Sequence, residues 1–566
     1  MKQKLSNFVN ADWRNIANGM PIIKDSYADQ PYLVKTDDGA WLCCVTVSSG
    51  EEGNPDQHVE TMRSTDMGRT WEKPVRLEVA GEAENSYAVM LKTSGKRIYI
   101  FYNHNTDRVK EILCHDGKSS FDRVDSLGHY VFRYSDDDGR TWSKKRYEVP
   151  VREFDCDRNN IYGGKIRFFW NVGSPCVRNG EAFLTLHKVG EMGEGFYQKS
   201  EGVLIHCPNI NSETDPEKLI WETLPDGDTG LLAPPGCGKI AEEQNCVILS
   251  DGSICCSYRS VSGYGIEAYS RDGGHTFSAP HFKLRYDGTP LKNPRACNVV
   301  WKYAPGKYLY WFHNHGGKFI ADMIVGENRS NHPSPYSDRN PAWLCGGTEV
   351  ETPEGLEIRW GEPQIVLYDS DSDTRMSYPD FICENGRYFI SETEKRIARI
   401  HEIPQEFLES LFTQEKLKPV AVSNGSEIDF SVIATPVNVF MPQANYTLHF
   451  ELDDFTPGIL CRSMRNEETG FEVRIEESGK VVFLWLDSQR GVYAASETLP
   501  AKTRDLKINL DMCAAVLSFT ADGRFCDGGD EKQFGWQRLS RDMNNLFSGG
   551  NGKLGAMVKR MTVYEK

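Results

Sequence analysis

Ser64-Thr-Asp-Met-Gly-Arg-Thr-Trp71 and Ser135-Asp-Asp-Asp-Gly-Arg-Thr-Trp142 are two copies of one eight-residue pattern, S-x-D-x-G-x-T-W. Ser270-Arg-Asp-Gly-Gly-His-Thr-Phe277 is a third copy, which differs only in its last aromatic residue. Asp and Gly favour a tight turn, because glycine adopts a positive φ and the aspartate side chain bonds nearby amides. These three segments, called boxes below, predict β-hairpin turns whose aspartates are structural rather than catalytic. The aspartates are Asp66, Asp137 and Asp272.

A second repeat, an apolar strand followed by a glycine-centred turn and another strand, precedes each box. Its copies are residues 31–47, 87–102 and 245–260, and three more copies without a box are residues 174–188, 297–315 and 378–394. Repeats of a supersecondary unit are typical of propellers and solenoids. Six strand sets between about residue 20 and residue 415 predict a six-bladed β-propeller, with residues 146–167 or 205–240 as the source of a seventh blade. The strand GMPIIK, residues 19–24, is expected to join the last blade.

The pattern changes after the helix-like segment PQEFLESLFTQEKLKP, residues 404–419. The residues that follow form alternating strands without boxes, which are typical of a β-sandwich of the lectin or laminin-G type. The sequence therefore predicts an all-β chain with a propeller over residues 1–420 and a C-terminal β-sandwich over residues 425–566. We expect the sandwich to brace the propeller or to form the interface of a homo-oligomer.

Composition excludes several classes of protein. The chain has 566 residues and a net charge of -16, so it lacks the basic footprint that nucleic acid requires. Hydrophobic residues make up 39%, mean hydropathy is -0.52, and no apolar run has transmembrane length, so no membrane partner is expected. The N-terminal segment has no apolar stretch typical of a secretory signal. This predicts a cytoplasmic protein, or a secreted or periplasmic one if a leader was removed.

The 16 cysteines include the adjacent pairs Cys43 with Cys44 and Cys255 with Cys256, inside strand-like runs. Neighbours in a strand point to opposite faces of the sheet and do not bridge each other easily. Scattered reduced core cysteines are therefore expected, in agreement with a cytoplasmic location. No CxxC pair supports a zinc-ribbon or thioredoxin-type site.

Polar and ionisable residues gather at the ends of the predicted strands opposite the hairpin turns. They are Asp29, Gln30, His58, Ser86, Tyr87, His104, Asn105, His129, His187, Lys188, Glu242, Glu243, Arg259, Arg295, His313, His315, Tyr378, Asp380, Glu392 and Lys395. Because these ends lie on one face of a propeller, the sequence predicts a ligand site there. Any single histidine is equally explained as a hydrogen-bonded rim residue, and Arg259 or Arg295 as a structural ion pair.

The boxes and strand sets resemble the sialidase, or BNR-repeat, superfamily over roughly the first 415 residues. Residues 242–260, EEQNCVILSDGSICCSYRS, resemble the segment in which a catalytic glutamate precedes a carboxylate-binding arginine, which implies Glu243 and Arg259. Residues 375–392, RMSYPDFICENGRYFISE, resemble the segment with the tyrosine nucleophile, which implies Tyr378. Arg339, in DRNPAWLCGG, stands for another arginine of the family triad.

Two departures from the family pattern bear on the substrate. Where sialidases carry the first triad arginine, in an R-I-P-like strand start, this chain has Asp29-Gln30-Pro31, and near the position of their acid/base aspartate it has His58. A bidentate arginine–carboxylate pair is hard to replace. The resemblance therefore implies a carbohydrate-active enzyme whose substrate is another acidic sugar, or a sugar linked to a uronate.

Three functions follow as hypotheses. The first is an exo-acting glycoside hydrolase, in which Tyr378 is activated by Glu243, and His58 or His104 handles the leaving-group proton. The substrate-binding residues are then Arg259, Arg295, Arg339, His187, Lys188, His313, Asp29 and Gln30. The second is a uronate lyase, such as a rhamnosyl-glucuronate lyase, which needs an arginine, a histidine base and a tyrosine acid. The third is a non-catalytic glycan-binding propeller.

In each of these three cases the partner is an oligosaccharide or glycan. No cofactor is required by the sequence, and no short ligand spacing demands a metal among the histidines. A structural calcium ion in the propeller channel is left open.

Overall fold

The computed structural model describes residues 12–79, 81, 83–121, 123–193, 196–316, 339–371, 374–413, 417–433, 445–487, 490–526, 535–539, 546–547 and 550–565. The fold is all-β, as predicted, and its strand pairs are antiparallel. Two compact units divide the chain. The larger unit is Gly19–His313 with Gly317–Phe412, and the smaller unit is Met1–Asn18, Asn314–Gly316 and Thr413–Lys566.

The described strands of the larger unit form six sheets of four or five strands, numbered here along the chain, and one short hairpin. Strand β1 is Met20–Lys24, and sheet 1 contains β2 (Tyr27–Lys35), β3 (Trp41–Ser48), β4 (His58–Ser64) and β5 (Val75–Arg76). Sheet 2 contains β6 (Asn85–Lys92), β7 (Ile98–His104), β10 (His129–Ser135) and β11 (Tyr147–Glu148), and the hairpin is β8 (Ile112–Leu113) with β9 (Ser120–Phe121). Sheet 3 contains β12 (Phe169–Asn171), β13 (Cys176–Arg178), β14 (Glu181–Gly193), β15 (Phe196–Cys207) and β16 (Glu222–Leu224).

The other three sheets complete the larger unit. Sheet 4 contains β17 (Glu242–Ile248), β18 (Ile254–Arg259), β19 (Ile266–Ser270) and β20 (His281–Phe282). Sheet 5 contains β21 (Val299–Ala304), β22 (Lys307–Phe312), β23 (Ala342–Thr352), β24 (Gly355–Trp360) and β25 (Gln364–Leu367). Sheet 6 contains β26 (Ser377–Glu384), β27 (Arg387–Thr393) and β28 (Ile397–Ile403), and β1 is its outer strand. The predicted pairing of the early strand with the last strand set is thus confirmed.

The helices of the described residues are short. They are the α-helices Asp155–Arg158 and Gln405–Ser410 and the 3-10 helices Ile16–Asn18 and Pro216–Lys218. The irregular stretches 146–167 and 205–240 supply β11 and β16 as outer strands of sheets 2 and 3.

The described strands of the smaller unit form two sheets around one core. One sheet contains β29 (Lys418–Val422), β31 (Tyr446–Leu452), β36 (Asp505–Asp511), β37 (Val516–Ala521), β38 (Arg524–Phe525), β39 (Trp536–Arg538) and β41 (Val558–Glu565). The other contains β30 (Glu427–Asp429), β32 (Gly458–Asn466), β33 (Thr469–Ile475), β34 (Lys480–Asp487), β35 (Arg490–Thr498) and β40 (Asn551–Leu554). Residues of both sheets, among them Phe450, Phe471, Phe483 and Ile508, share this buried core. The boundary predicted at residues 420–425 stays a prediction.

The boxes are the turns after the third strand of sheets 1, 2 and 4, and they use one set of hydrogen bonds. In the first box, the carboxylate of Asp66 accepts from the backbone N–H and the hydroxyl of Thr70 at 2.8 and 2.7 Å. The hydroxyl of Ser64 donates to Asp66 and accepts from the N–H of Gly68. Asp137 and Asp272 make the same bonds with Thr141 and Thr276. The aspartates therefore close turns, as the pattern predicts.

Candidate functional site

A bulge at the start of the first strand recurs in four of the sheets. The pairing register shifts between Asp29 and Tyr32, Ser86 and Val89, Glu242 and Asn245, and Ser377 and Asp380. Each bulge contains one non-glycine residue with a positive φ. These residues are Gln30 (55°), Tyr87 (58°), Glu243 (54°) and Tyr378 (46°). Such backbone geometry is costly for a side-chain-bearing residue and is concentrated at functional sites.

Two of these bulge residues touch each other across sheets. The hydroxyl of Tyr378, from sheet 6, donates to Oε1 of Glu243, from sheet 4, at 2.8 Å. A guanidinium nitrogen of Arg259 lies 2.9 Å from the same carboxylate oxygen. All three side chains are buried. The structure therefore joins the tyrosine, glutamate and arginine that the resemblance implied.

Glu242 and Glu243 are adjacent in sequence, but their pKa values shift in opposite directions. Burial opposes ionisation of Glu242, but Arg295 and Arg259 outweigh it and lower its pKa to about 2. The Arg295 guanidinium donates to both Glu242 oxygens, at 3.1 and 2.5 Å. Burial raises the pKa of Glu243, with Arg259 opposing and Glu242 adding to the rise. Glu242 is thus the fixed counter-ion of two arginines, whereas Glu243 is the carboxylate that takes up a proton more readily.

Tyr378 is surrounded by further charged groups. The Lys395 ammonium lies 4.5 Å from the centre of the Tyr378 ring and 2.6 Å from the Asp29 carboxylate. Arg339 donates to the Ser377 hydroxyl at 2.5 Å, next to Tyr378 in the chain. Burial raises the pKa of the Tyr378 phenol well above its ordinary value, with Glu243 adding to the rise and Arg259 opposing it. The free phenol is therefore neutral at physiological pH.

Glu52 is a site residue that the sequence reasoning missed. Its carboxylate lies 2.9 Å from Arg123 and 3.6 Å from Lys395, and its side chain keeps 28% of its surface exposed. Burial opposes its ionisation, but Lys395, Arg123 and Arg339 lower its pKa to about 2. Glu52 lies in the loop between β3 and β4, where periodicity gives no signal. In the sequence, the signal for Glu52 is the acidic run in which it lies, with Glu51 before it and Asp56 after it.

Gln30 is buried at 1% exposure, and among the described residues neither atom of its carboxamide has a hydrogen-bond partner. The same is true of Oε2 of Glu243. A buried polar group without a partner costs about 1–3 kcal/mol, so natural proteins keep few of them. Both residues sit at bulges of positive φ. These two side chains therefore have hydrogen-bonding capacity to offer a ligand.

His187 joins the site as a support. Its Nδ1 accepts the backbone N–H of Glu243 at 3.1 Å, which holds that residue in its positive-φ conformation. Burial is the main cause that lowers the pKa of His187 to about 3, and Arg259 and Arg295 add to it. His187 is thus a neutral acceptor that positions Glu243.

The other predicted histidines have contacts elsewhere. His58 lies at the start of the third strand of sheet 1, where its ring contacts the Asp56 carbonyl at 2.8 Å and the Glu60 carboxylate at 3.4 Å. His104 bonds the Thr106 hydroxyl, and burial, with Arg146 adding, lowers its pKa to about 4. The structure does not bring either ring to Tyr378 through these contacts.

Lys188 and His313 have contacts of their own, and their predicted use in substrate binding stays a prediction. The Lys188 ammonium is buried against Asp157 and the Arg152 carbonyl, so it anchors the helix Asp155–Arg158. The backbone N–H of His313 donates to the Asn293 side chain at 3.1 Å, and its ring is buried near Trp311. Arg295 serves Glu242 and the Tyr197 carbonyl.

In the described ranges, no group of three or more His, Cys, Asp or Glu side chains is arranged to hold a metal ion. The calcium ion left open by the sequence stays a prediction. Likewise, within the part of the chain that the structure describes, no helix has the length and apolar character needed to cross a bilayer.

Several solved structures resemble this chain at low identity. A leech intramolecular trans-sialidase, complexed with 2,7-anhydro-Neu5Ac, is 14% identical over 72% of this chain and 71% of its own, with a TM-score of 0.44. Trypanosoma rangeli sialidase, in complex with sialic acid, is 11% identical over 99% of this chain and 95% of its own, with a TM-score of 0.44. A protein of unknown function from Dyadobacter fermentans is 14% identical over 68% and 98%, with a TM-score of 0.45.

No curated protein matches the sequence significantly. A family of protein domains does. The BNR repeat-like domain matches residues 42–390, which include the three boxes, three of the four bulges and most of the charged cluster described above. This match spans more than half of the chain, and the chain therefore belongs to the BNR repeat-like domain family.

Proposed function

We propose that this protein is an exo-acting glycoside hydrolase with a tyrosine nucleophile, acting on a terminal acidic sugar or on a sugar linked to a uronate. We further infer that sheets 1 to 6 are the six blades of a sialidase-like β-propeller and that the smaller unit is a β-sandwich. The observation that carries the function is the buried contact of 2.8 Å between the Tyr378 hydroxyl and the Glu243 carboxylate. Family membership and the boxes support the architecture.

In the first step, Tyr378 attacks the anomeric carbon while its phenolic proton passes to Glu243. The raised pKa of Glu243 makes it a better proton acceptor than an ordinary carboxylate. Tyr378 and the sugar then share a covalent bond, which water hydrolyses in the second step as Glu243 returns the proton. A neutral phenol suits an anionic sugar, because it places no second negative charge beside the substrate.

The leaving oxygen needs a proton, and we assign this role to Glu52 in place of His58. Lys395, Arg123 and Arg339 keep Glu52 ionised in the free protein. An acidic group of the substrate that binds Arg339 or Lys395 cancels part of their charge, so the pKa of Glu52 rises when the substrate binds. This rise favours the protonated form of Glu52, which is the form that donates to the leaving oxygen.

The acidic group of the substrate is assigned to Arg259 and Arg339, with Lys395 as a third cation near Tyr378. Asp29 occupies the strand position at which sialidases have an arginine, and it binds Lys395 at 2.6 Å. The third cation is therefore an ammonium that is already paired with a carboxylate. This weaker arrangement supports an acidic substrate other than sialic acid.

The lyase hypothesis receives less support, because it needs a histidine base near the substrate. His104 bonds the Thr106 hydroxyl, and His58 contacts the Asp56 carbonyl. His187 accepts the backbone N–H of Glu243. The tyrosine–glutamate pair instead matches the needs of hydrolysis.

The test is incubation of the purified chain with sialylated, uronate-containing and rhamnosyl-glucuronate oligosaccharides. Reducing-sugar release and the absorbance of unsaturated uronates are recorded together. Sugar release without new absorbance, abolished in Tyr378→Phe and retained in Tyr87→Phe, is the expected result. A rise in absorbance would favour the lyase instead, and binding of a glycan without turnover would favour a non-catalytic propeller.

A further inference from the structure

Two cysteines that the proposed mechanism does not use lie side by side on neighbouring sheets. Cys176 is in β13 of sheet 3 and Cys246 is in β17 of sheet 4. Their sulfur atoms are 2.8 Å apart, whereas the bond of a disulfide is about 2.05 Å long. Both residues are free thiols in the structure. Only a small displacement therefore separates this pair from a covalent bond.

A cavity of about 480 Å³ gives access to the pair. Cys176 is partly exposed, whereas Cys246 is 6% exposed and belongs to the buried core of sheets 3 and 4. Both cysteines line the cavity, so a reagent there meets the more exposed Cys176 first, and the Cys246 sulfur is near enough to attack in turn.

The lining of this cavity has an unusual charge for a chain of net charge -16. It includes Arg178 and Lys302, and no acidic residue is among its lining residues. Arg178 forms an ion pair with Glu181 at 3.2 Å, and the Lys302 ammonium donates to the Ile248 carbonyl. Cations in a cavity attract small anions from solution.

We propose that Cys176 and Cys246 are a modification site for low-molecular-weight disulfides that carry carboxylates. The Cys176 thiolate attacks one sulfur of the small disulfide, which forms a mixed disulfide and releases one small thiolate. The Cys246 thiolate then attacks the Cys176 sulfur, which forms the Cys176–Cys246 bond and releases the second thiolate. The protein loses two protons and two electrons, and the small disulfide is reduced to two thiols.

The bond ties sheet 3 to sheet 4, and the segment before Cys176 also contacts the strand that carries Tyr378. Ser174, two residues before Cys176, donates its hydroxyl to Asp380 at 3.2 Å, and Asp380 lies two residues after Tyr378. The cross-link therefore restrains the segment that carries Ser174.

The proposal is tested on the full chain with oxidised glutathione as the anionic probe and 2-hydroxyethyl disulfide as the neutral one. After reaction, free thiols are alkylated and the digest is analysed by mass spectrometry. We expect one cross-linked pair of peptides, containing Cys176 and Cys246, whose mass is lower by two hydrogens than the sum of the reduced peptides. Cys246→Ser should stop at a mixed disulfide on Cys176, and Cys176→Ser should leave Cys246 unreacted.

The exposed Cys383 supplies the matched control, because Cys383→Ser removes a reactive thiol without touching the pair. The cross-link should form in it as in the parent chain. Alkylation of both Cys176 and Cys246 after exhaustive oxidation would overturn the site. The anionic class is tested separately: oxidised glutathione should react at least about fivefold faster than the neutral probe at low salt, and the preference should fall in Lys302→Met. Equal rates would overturn that part of the proposal.

Discussion

Tyr87 and Tyr378 occupy the same place in two different sheets, and their surroundings differ. Each follows a serine at the bulge of a first strand, each has a positive φ, and each donates its hydroxyl to a buried carboxylate. The ring of Tyr87 packs against Trp170, with 4.1 Å between ring centres. The ring of Tyr378 instead faces the Lys395 ammonium at 4.5 Å.

The two carboxylates explain why one tyrosine is suited to chemistry. Asp125, the partner of Tyr87, receives Arg123 on both oxygens, at 2.9 Å each. Glu243, the partner of Tyr378, receives Arg259 and the phenol on Oε1 alone. Within the described residues, its Oε2 has no hydrogen-bond partner. The same bulge thus holds a saturated ion pair in sheet 2 and a carboxylate with spare capacity next to Tyr378.

Removing each hydroxyl in turn tests most directly whether Tyr87 and Tyr378 differ in role. Tyr378→Phe should lower kcat by at least about 10³-fold, because it removes the proposed nucleophile. Tyr87→Phe should change kcat by less than about tenfold, because its hydroxyl serves an ion pair that remains. Steady-state kinetics on the substrate found by the panel measure both. Equal losses in the two variants would show that the tyrosines do not differ in role.

Removing the charge of each carboxylate sharpens the same contrast. Glu243→Gln should lower kcat by about 10²- to 10³-fold, because an amide does not accept the phenolic proton. Asp125→Asn should keep most turnover but lower the free energy of unfolding by about 2 kcal/mol. Arg123 would lose a partner while staying partly exposed, so the cost is smaller than for a fully buried pair. Kinetics together with denaturant unfolding separate the two effects. A catalytic loss confined to Asp125→Asn would reverse the assignment.

Glu242 provides a pH-dependent test beside Glu243. Its pKa is depressed in the folded chain, from 4.5 to about 2, by Arg295 and Arg259 against the effect of burial. Its contribution to stability is therefore present above pH 4.5 and is lost as pH falls through about 2. Glu242→Gln should lower the free energy of unfolding at pH 7 by about 3 kcal/mol, and its difference from the parent should shrink between pH 5 and pH 2. Denaturant unfolding across this range measures both, and a difference constant with pH would contradict the ion pair.

Sequence reasoning reached the parts of the molecule that repeat. The boxes predicted turns with identical hydrogen bonds, and the resemblance of two segments implied Glu243, Arg259 and Tyr378, which the structure brings into contact. The sequence also carries a signal for two of the bulges, a proline inside the strand. Pro31 and Pro379 follow Gln30 and Tyr378, and proline inside a strand is characteristic of bulges and edges.

The remaining site residues depend on how the chain turns outside its repeats. Glu52 reaches Lys395 and Arg123 from a loop between strands, so neither spacing nor alternation places it. Lys395 follows the second strand of sheet 6, and its own φ of 76° accompanies the contact of its ammonium with the Tyr378 ring. His58 and His104 lie at the predicted ends of their strands. Position along a strand does not decide which neighbours a ring contacts, and their rings bond locally.

Gln30 gives the smallest and most selective test, because it is one of the two bulge residues, with Glu243, that have unused hydrogen-bonding capacity among the described residues. Gln30→Met keeps the length of the side chain and removes a buried amide that has no partner among the described residues. The free energy of unfolding should therefore stay unchanged or rise by about 1–2 kcal/mol. If the amide binds the substrate, KM should rise about tenfold while kcat changes little. A loss of stability with unchanged KM would instead make Gln30 a structural residue, and the comparison among the bulges would then rest on Tyr378 and Glu243 alone.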